Sequence, residues 1–312
     1  MLEPGTIRTV AGDVHLADLM ATGGVALVHE HLSCDLSIGF GPEYVLDDAE
    51  LVANELQAAH AAGVRLMVDV GNSGHLRDPL FLREVASRGG MTVMASAGHY
   101  REGFFPDVVA SQSVEELTAE IVREIEHGIG QTTVRAGAIA EIGMSGETAT
   151  PAEKKAFAAS AAAQAQTGVP LMTHTAQGVG WRAQIEMLSD GGADLNRVVI
   201  GHMDCLDDHE AHVGVIESGA WLGFDRVNSL RYQSDEVRAK RLADLIDAGH
   251  GGRVVLSTDT AMVTRLSTRG GAGYMAVLTE FVPLLRQHGV SEEWIKRISV
   301  DNAWEFLGGV RA

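Results

Sequence analysis

Cysteine, basic residues and long apolar runs are all scarce in this 312-residue chain. Two cysteines, Cys34 and Cys205, cannot build a disulfide framework, so we expect free thiols and a cytoplasmic protein. The first residues, Met1 to Pro4, show no basic flank before an apolar segment, which argues against a secretory leader. No apolar run approaches the roughly 18 to 20 residues of a membrane span, so we expect no membrane partner.

The shortage of basic residues gives the chain a strongly negative charge. Lys and Arg number 24 against 42 Asp and Glu, for a formal charge of −18. This charge repels phosphate backbones and excludes nucleic acid and anionic membranes as expected partners. The hydrophobic content of 46% is sufficient for a large buried core in a chain of this length.

Short apolar runs alternate with longer helical stretches from Val25 almost to the C-terminus. The runs are mostly continuous, which is typical of parallel strands covered by helices on both faces. The strand candidates are Val25–His29, Arg65–Val70, Thr92–Ala97, Ala136–Glu141, Pro170–Thr173, Arg197–Gly201, Ala220–Asp225 and Arg253–Ser257. Eight strand–helix rounds predict one α/β domain over residues 1–312, a (β/α)8 TIM barrel, although a doubly wound open sheet shares most of these local signals.

Local signals also predict the ends of several helices and two additions to the barrel. Helix starts are indicated by Asp47 with Glu50, Ser113 with Glu116 and Thr150 with Glu153, and helix ends by Gly63, Gly128 and Gly168. Thr6–Val10 and Val14–Leu16 flank Ala11-Gly12-Asp13, which predicts a short N-terminal β-hairpin that covers one end of the barrel. Ser291 to Leu307 predicts an extra amphipathic C-terminal helix, in which Trp294 and Trp304 are packing residues.

The first barrel strand leads into His29-Glu30-His31. Alternate side chains of a strand share a face, so His29 and His31 point together and Glu30 turns outward, away from them. This spacing fits a two-pronged metal site, and it fits two hydrogen-bonded imidazoles equally well. The ends of the other strands must decide between these interpretations.

Further imidazole and carboxylate groups stand where the other predicted strands end. The carboxyl ends of the strands form the active-site rim of a TIM barrel. The candidate ligands are His29, His31, Glu141, His174, His202 and Asp259. Each of these residues alone could be structural, and Asp259 could cap the next helix. Together, four imidazoles and two carboxylates suit zinc, manganese or cobalt and exceed one tetrahedral ion, so we predict a binuclear centre.

The motifs around these residues resemble those of the phosphotriesterase-related family of the amidohydrolase superfamily. They are Val28-His29-Glu30-His31-Leu32, Glu141-Ile142-Gly143, Thr173-His174-Thr175, Gly201-His202-Met203-Asp204 and Leu256-Ser257-Thr258-Asp259. The resemblance implies that His29, His31 and Asp259 hold the more buried ion, that His174 and His202 hold the more exposed one, and that Glu141 bridges both. Better-known relatives use a carboxylated lysine as the bridge, whereas the four lysines here lie on predicted helices. The chain therefore resembles the glutamate-bridged subgroup.

The same resemblance implies a hydrolase with two divalent ions, for which we expect Zn²⁺, with Mn²⁺ or Co²⁺ as alternatives. A metal-bridging hydroxide would attack a small ester, and Asp259 would accept its proton. A lactone is the favoured small-molecule substrate, with promiscuous phosphotriester hydrolysis. An amidase acting on an N-acyl amino acid is the alternative, and a non-catalytic metal-binding protein of the same fold is a more distant one. A homodimer would match the habit of the family.

Three residues outside the ligand set are candidates for substrate binding. Tyr100 follows the third strand and resembles a family tyrosine above the metals, although a surface aromatic residue fits as well. Arg231 follows the seventh strand and could bind a carboxylate or phosphate, or be a solvated loop residue. Arg269 stands in the eighth loop where relatives have a tyrosine, and we predict that it too contacts substrate.

Overall fold

The computed structural model describes residues 5–309 and confirms the (β/α)8 barrel. Met1 to Pro4, considered above for a leader, lie outside the described residues. The strands are β1 Thr6–Thr9, β2 Gly12–His15, β3 Val25–Glu30, β4 Cys34–Asp35, β5 Val45–Leu46, β6 Val64–Asp69, β7 Thr92–Ala97, β8 Ala136–Gly143, β9 Leu171–His174, β10 Val198–Ile200, β11 Trp221–Phe224 and β12 Val254–Leu256. Eight of them pair in the order β3-β6-β7-β8-β9-β10-β11-β12, and every pair is parallel.

The first and last barrel strands meet at a seam that is joined by loop residues. The backbone N–H of Asp259 donates to the carbonyl of His29 at 3.2 Å. The backbone N–H of His29 donates to Ser257 Oγ at 3.0 Å. These bonds connect β3 with the segment after β12, so the barrel is nearly closed.

Helices cover the outer face of the sheet. They are α1 Leu16–Met20, α2 Ser37–Phe40, α3 Ala49–Ala62, α4 Pro79–Gly89, α5 Asp107–Ser111, α6 Val114–Glu126, α7 Pro151–Thr167, α8 Trp181–Asp190, α9 His209–Glu217, α10 Asp235–Asp247, α11 Val282–Gln287, α12 Glu292–Lys296 and α13 Asn302–Gly308. The barrel strands are almost fully buried, since this layer covers one face and the barrel interior covers the other. None of the helices within residues 5–309 has the length and apolar character needed to cross a bilayer.

The predicted caps are largely confirmed. Ser113 and Thr150 accept from the backbone N–H three residues on and form capping boxes with Glu116 and Glu153. The prediction of Asp47 as a cap was wrong by one residue. Asp48 is the N-cap of α3, because its carboxylate accepts from the backbone N–H groups of Glu50 and Leu51. Gly63 and Gly168 end their helices in the left-handed region, and α6 ends at Glu126, two residues before Gly128.

The N-terminal hairpin and the C-terminal helices close the bottom of the barrel. β1 and β2 pair antiparallel, so the predicted hairpin is confirmed; β1 ends one residue earlier than predicted, and β2 begins two residues earlier and ends one residue earlier. Trp304 is buried and donates from Nε1 to the carbonyl of Gly24 at 2.9 Å. The single helix predicted from Ser291 is instead two helices, α12 and α13, separated by a π-helical segment from Arg297 to Asp301. The opposite end of the barrel is left open for the site.

Candidate metal centre

All six candidate ligands lie at the carboxyl end of the barrel strands. β3 ends at Glu30, so His29 is its penultimate residue and His31 follows directly. Glu141 lies within β8 and His174 ends β9. The remaining two, His202 and Asp259, lie just beyond their strands and have left-handed backbone conformations, with φ of 60° and 47°. Such backbone conformations are costly outside glycine and turn these side chains inward over the barrel.

The Glu141 carboxylate is the centre of the cluster. Its Oε1 lies 2.6 Å from His174 Nδ1, 2.9 Å from His202 Nε2 and 3.3 Å from His29 Nε2. Its Oε2 faces His31 Nε2 at 3.9 Å. The two carboxylate oxygens therefore face different sets of imidazoles, which is the geometry that a bridging ligand requires.

His31 and Asp259 form the other side of the cluster. His31 Nε2 lies 3.2 Å from Asp259 Oδ1, and His29 Nε2 lies 3.9 Å from the same oxygen. Asp259 Oδ2 points away and accepts from Arg226 Nε at 2.9 Å. One carboxylate oxygen is thus committed to an arginine, while the other faces the histidines.

Two overlapping groups of donors are compact enough to hold ions. One donor atom each from His29, His31 and Glu141 lies within 4.8 Å of the others, and the same is true of Glu141, His174 and His202. His202 Nε2 and His174 Nδ1 stand only 2.9 Å apart. Both nitrogens also lie within 2.9 Å of Glu141 Oε1, so three potential ligand atoms converge on one point. The donor set therefore fits metal binding, and the shared Glu141 fits two ions.

Asp225, directly after β11, explains the orientation of two of the rings. Its Oδ1 lies 2.8 Å from His202 Nδ1, and its Oδ2 lies 3.1 Å from His29 Nδ1. A carboxylate at Nδ1 fixes the proton there and leaves Nε2 free as a donor to metal. Asp225 therefore lies behind the candidate metal centre and supports the orientation of these two histidines.

The electrostatics of the cluster favour ionised carboxylates. Burial alone would raise the pKa of Asp259, but the guanidinium of Arg226 and the bond to His31 hold it below its usual range. Burial likewise opposes ionisation of Glu141, yet His174 and His29 bring its pKa well below normal. Burial is the largest influence on His174 and lowers its pKa to about 3.

Glu30 is not the outward bystander that the strand pattern predicted. It points away from the six candidate ligands, which together form the donor ring, as expected. It is nevertheless fully buried at the seam of the barrel. Its carboxylate accepts from the Thr258 N–H at 2.7 Å, the Thr258 hydroxyl at 2.6 Å and the Thr260 N–H at 3.3 Å. Because Thr258 and Thr260 flank Asp259, Glu30 fixes the strained backbone of that candidate ligand.

A cleft of about 200 Å³ opens over the cluster. Tyr100 lines it and is nearly buried, with its hydroxyl 3.3 Å from His174 Nδ1. Arg231 also lines the cleft, is exposed, and donates to the hydroxyl of Tyr44. Arg269 is exposed and does not line the cleft, so its position gives the predicted substrate contact no support.

Sequence reasoning missed three residues whose side chains lie against the side chains of candidate ligands. Asp225 and Arg226 directly follow β11, and their position after a strand end was the available signal. His75 lies on the loop after β6, buried, with Nε2 3.4 Å from Glu141 Oε2. Burial lowers the pKa of His75 to about 4, so its ring is neutral. Its distance from the strand end left no signal in the pattern.

A closed ring of imidazoles and carboxylates at the rim of a (β/α)8 barrel defines the class of metal-dependent barrel hydrolases. Comparison with known proteins identifies the family within this class. The model of the Phosphotriesterase family matches residues 5–307, and the chain belongs to this family. The chain is thus a hydrolase of a metal-dependent family.

Individual relatives span nearly the whole chain. The phosphotriesterase homology protein of Escherichia coli (strain K12) is 39% identical over 91% of this chain and 98% of its own. Its crystal structure, complexed with phosphate in the active site, superposes with a TM-score of 0.88 at 38% identity, covering 92% and 99% of the two chains. An N-acetyltaurine hydrolase of Salmo salar is 28% identical over 97% of this chain and 98% of its own. A lactonase structure from Listeria monocytogenes gives a TM-score of 0.89 at 26% identity, covering 97% and 98%.

Proposed function

We propose that the protein hydrolyses a small amide or ester that carries an anionic group, with two divalent ions bound by the six predicted ligands. Zn²⁺ is the ion we expect, with Mn²⁺ or Co²⁺ as alternatives. The observation that carries the substrate class is a pair of arginines at the mouth of the cleft, Arg101 and Arg231. Neither lies within ion-pair distance of a carboxylate among residues 5–309. In a chain of charge −18, such cations are suited to bind an acid group of the substrate.

The two arginines approach from different loops. Arg101 lies over the rings of Tyr100 and Phe104, at 5.1 and 4.8 Å from their centroids. Arg231 is held by Tyr44 and lies 4.8 Å from the ring of Tyr232. Aromatic support orients each guanidinium without neutralising it. A carboxylate or sulfonate can therefore bind at the mouth while the bond to be cleaved lies over Glu141.

The residues of the chain supply binding and proton transfer. Bound divalent ions would supply an activated water nucleophile and polarise the carbonyl group under attack. Asp259 is ionised, and its Oδ1 faces the donor ring, so this oxygen accepts the proton of the nucleophile and returns it to the leaving group. Tyr100 covers one side of the cleft and limits access of bulk water.

An N-acyl amino acid or N-acyl aminosulfonate is the first candidate, because its amine part retains an acid group for the arginines. The similarity to N-acetyltaurine hydrolases supports this choice. A lactone, the substrate favoured by sequence reasoning, is the second candidate, supported by the similarity to a lactonase. A simple lactone carries no charge and would leave Arg101 and Arg231 without a partner.

The test is a substrate panel with Zn²⁺- or Mn²⁺-reconstituted protein. It contains N-acetyl amino acids, N-acetyl aminosulfonates, uncharged methyl esters of the same amino acids, lactones and an aryl phosphotriester. We expect the anionic amides to exceed their uncharged analogues at least about 10-fold in kcat/KM. Higher activity on lactones or on uncharged amides would contradict the anionic substrate class.

Two variants make the test residue-specific. Arg231→Gln and Arg101→Gln should each raise KM for the anionic substrate about 10-fold or more and leave KM for its uncharged analogue unchanged. The matched control is Arg88→Gln, since Arg88 is an exposed arginine that pairs with Glu84 on α4. The role of the cleft arginines would be refuted if the two cleft variants changed KM for the anionic substrate no more than Arg88→Gln does.

A further inference from the structure

His75 stands out because its Nε2 is buried and forms no well-aligned hydrogen bond with any of residues 5–309. This atom lies 3.4 Å from Glu141 Oε2, on the side of the carboxylate away from His174 and His202. The imidazole is therefore directed at the one oxygen of the bridging candidate that has few other contacts.

Asn72 contacts the Nδ1 side of the His75 ring and leaves Nε2 facing Glu141. The backbone N–H of Asn72 donates to His75 Nδ1 at 3.3 Å. Asn72 Oδ1 also lies 3.0 Å from His75 Nδ1, and this contact would require a proton on Nδ1. The backbone contact instead requires Nδ1 to accept, which places the proton of a neutral ring on Nε2, facing Glu141 Oε2. Asn72 is itself anchored, since its side-chain amide donates to the carbonyls of Ala140 and Glu141 at 3.0 Å each. The same residue thus ties the His75 loop to the strand that carries Glu141.

His75 also supports the residue that covers the cleft. Its ring lies 4.2 Å from the ring of Tyr100, centroid to centroid, and 5.1 Å from that of His31. Gly74 makes this approach possible, because a Cβ at that position would come within 2.8 Å of the Cβ of Tyr100. The loop is therefore packed tightly between a candidate ligand and the wall of the cleft.

We propose that His75 is a positioning residue of the metal centre, whose Nε2–H donates to Glu141 Oε2 and holds the carboxylate in the orientation that bridges two ions. A glutamate has a freely rotating terminal carboxylate, and its Oε1 is already fixed by His174 and His202. A donor at Oε2 fixes the second oxygen as well. Outer hydrogen bonds of this kind set the affinity of a site for its metal, typically by about 10- to 100-fold.

This inference rests on the proposed metal centre, and its test uses metal binding by the full chain without any substrate. Apo protein is titrated with Co²⁺ in competition with a chelator, and the visible Co²⁺ spectrum is recorded. His75→Phe keeps a ring against Tyr100 and removes the donor. We expect about 10- to 100-fold weaker Co²⁺ binding and an altered spectrum, with His75→Gln restoring most of both because its amide is again a donor.

His212→Phe is the matched control, since His212 is another buried histidine and its Nε2–H donates to the Met203 carbonyl at 2.8 Å instead of to a candidate ligand. Its Co²⁺ affinity and spectrum should equal those of the wild type. If His75→Phe binds Co²⁺ like the wild type, or if His75→Gln gives no rescue, the positioning role of His75 is overturned while the metal centre stands. If the wild-type protein takes up no Co²⁺, both the metal centre and this inference are overturned.

Discussion

Arg226 Nε donates to Asp259 Oδ2 at 2.9 Å, which pairs an almost fully buried guanidinium with the carboxylate that faces the donor ring. Arg226 lies over the ring of Tyr232 at 4.2 Å, and its backbone N–H donates to Asp204 Oδ2 at 3.2 Å. These contacts keep the guanidinium in one place. The pair sets the protonation of Asp259 through a fixed neighbouring charge.

Removal of this charge should change the pH dependence of activity. Burial favours the protonated carboxyl, and Arg226 is the largest influence in the opposite direction, so Arg226→Met should raise the pKa of Asp259. The acid limb of kcat/KM should then move to higher pH by about one unit or more. Arg226→Lys retains the positive charge and should leave the limb near its wild-type position. If the acid limb does not move in fully metallated Arg226→Met, Asp259 is not the group whose titration produces it.

Asp259 itself should matter more for turnover than for metal content. Asp259→Asn keeps an oxygen near His31 but cannot accept a proton at neutral pH. We expect kcat to fall about 100-fold or more, while most of the bound metal remains. Metal analysis of the same preparation, alongside steady-state kinetics, separates the two effects. Loss of metal in proportion to loss of turnover would assign Asp259 a purely ligating role.

Asp225 should contribute to metal affinity without touching the metal. Asp225→Asn leaves one acceptor oxygen for two ring N–H groups, because the amide nitrogen can only donate. One of His29 and His202 then loses its fixed tautomer, and Zn²⁺ affinity in chelator competition should fall about 10- to 100-fold. Asp208→Asn, at the exposed N-cap of α9, is the comparison variant and should bind Zn²⁺ normally. Equal affinities in all three proteins would exclude the supporting role.

His99 should make the protein less stable in acid. Burial, with a contribution from Arg77, lowers the pKa of His99 to about 4, whereas the unfolded chain has its ordinary value near 6.5. The stability that the neutral ring contributes is complete above about pH 6.5 and is lost as the pH falls toward 4. Between about pH 7 and pH 5, the free energy of unfolding should fall about 2 kcal/mol more in the wild type than in His99→Gln.

Urea unfolding of the two chelator-treated proteins at both pH values measures this difference. Titration of the ligand histidines is common to both proteins and cancels in the comparison. His99 Nδ1 lies 2.8 Å from Ser73 Oγ, a contact that the glutamine side chain can replace. Parallel losses of stability in wild type and variant would mean that His99 titrates normally in the folded state.

The donor ring was predictable from sequence because barrel geometry brings all strand ends to one rim. His29, His31 and Glu141 needed only the strand period and the position at a strand end to be placed together. The structure gathers these residues with His174, His202 and Asp259, although the bound ions and their roles stay predictions. The barrel and its N-terminal hairpin followed from the same local patterns.

The supporting contacts were not predictable because they depend on directions that a strand pattern does not contain. The period of two correctly turned Glu30 away from its neighbours, but it did not show that the barrel seam covers that face. His75 reaches Glu141 only through a loop that contains a left-handed residue, Leu76. Arg269 was placed by its neighbours in sequence, and the loop turns it into solvent.

The seam between β3 and the residues after β12 also determines when the site can form. The Glu30 carboxylate and the Thr258 N–H that binds it are separated by 228 residues along the chain. The donor ring likewise needs His29 from the first barrel strand and Asp259 from beyond the last. During synthesis, a nascent chain that has not yet exposed its final strand holds five of the six donors and no closed seam. We therefore expect the complete set of donors to become able to bind metal late in folding, after the most distant contacts have formed.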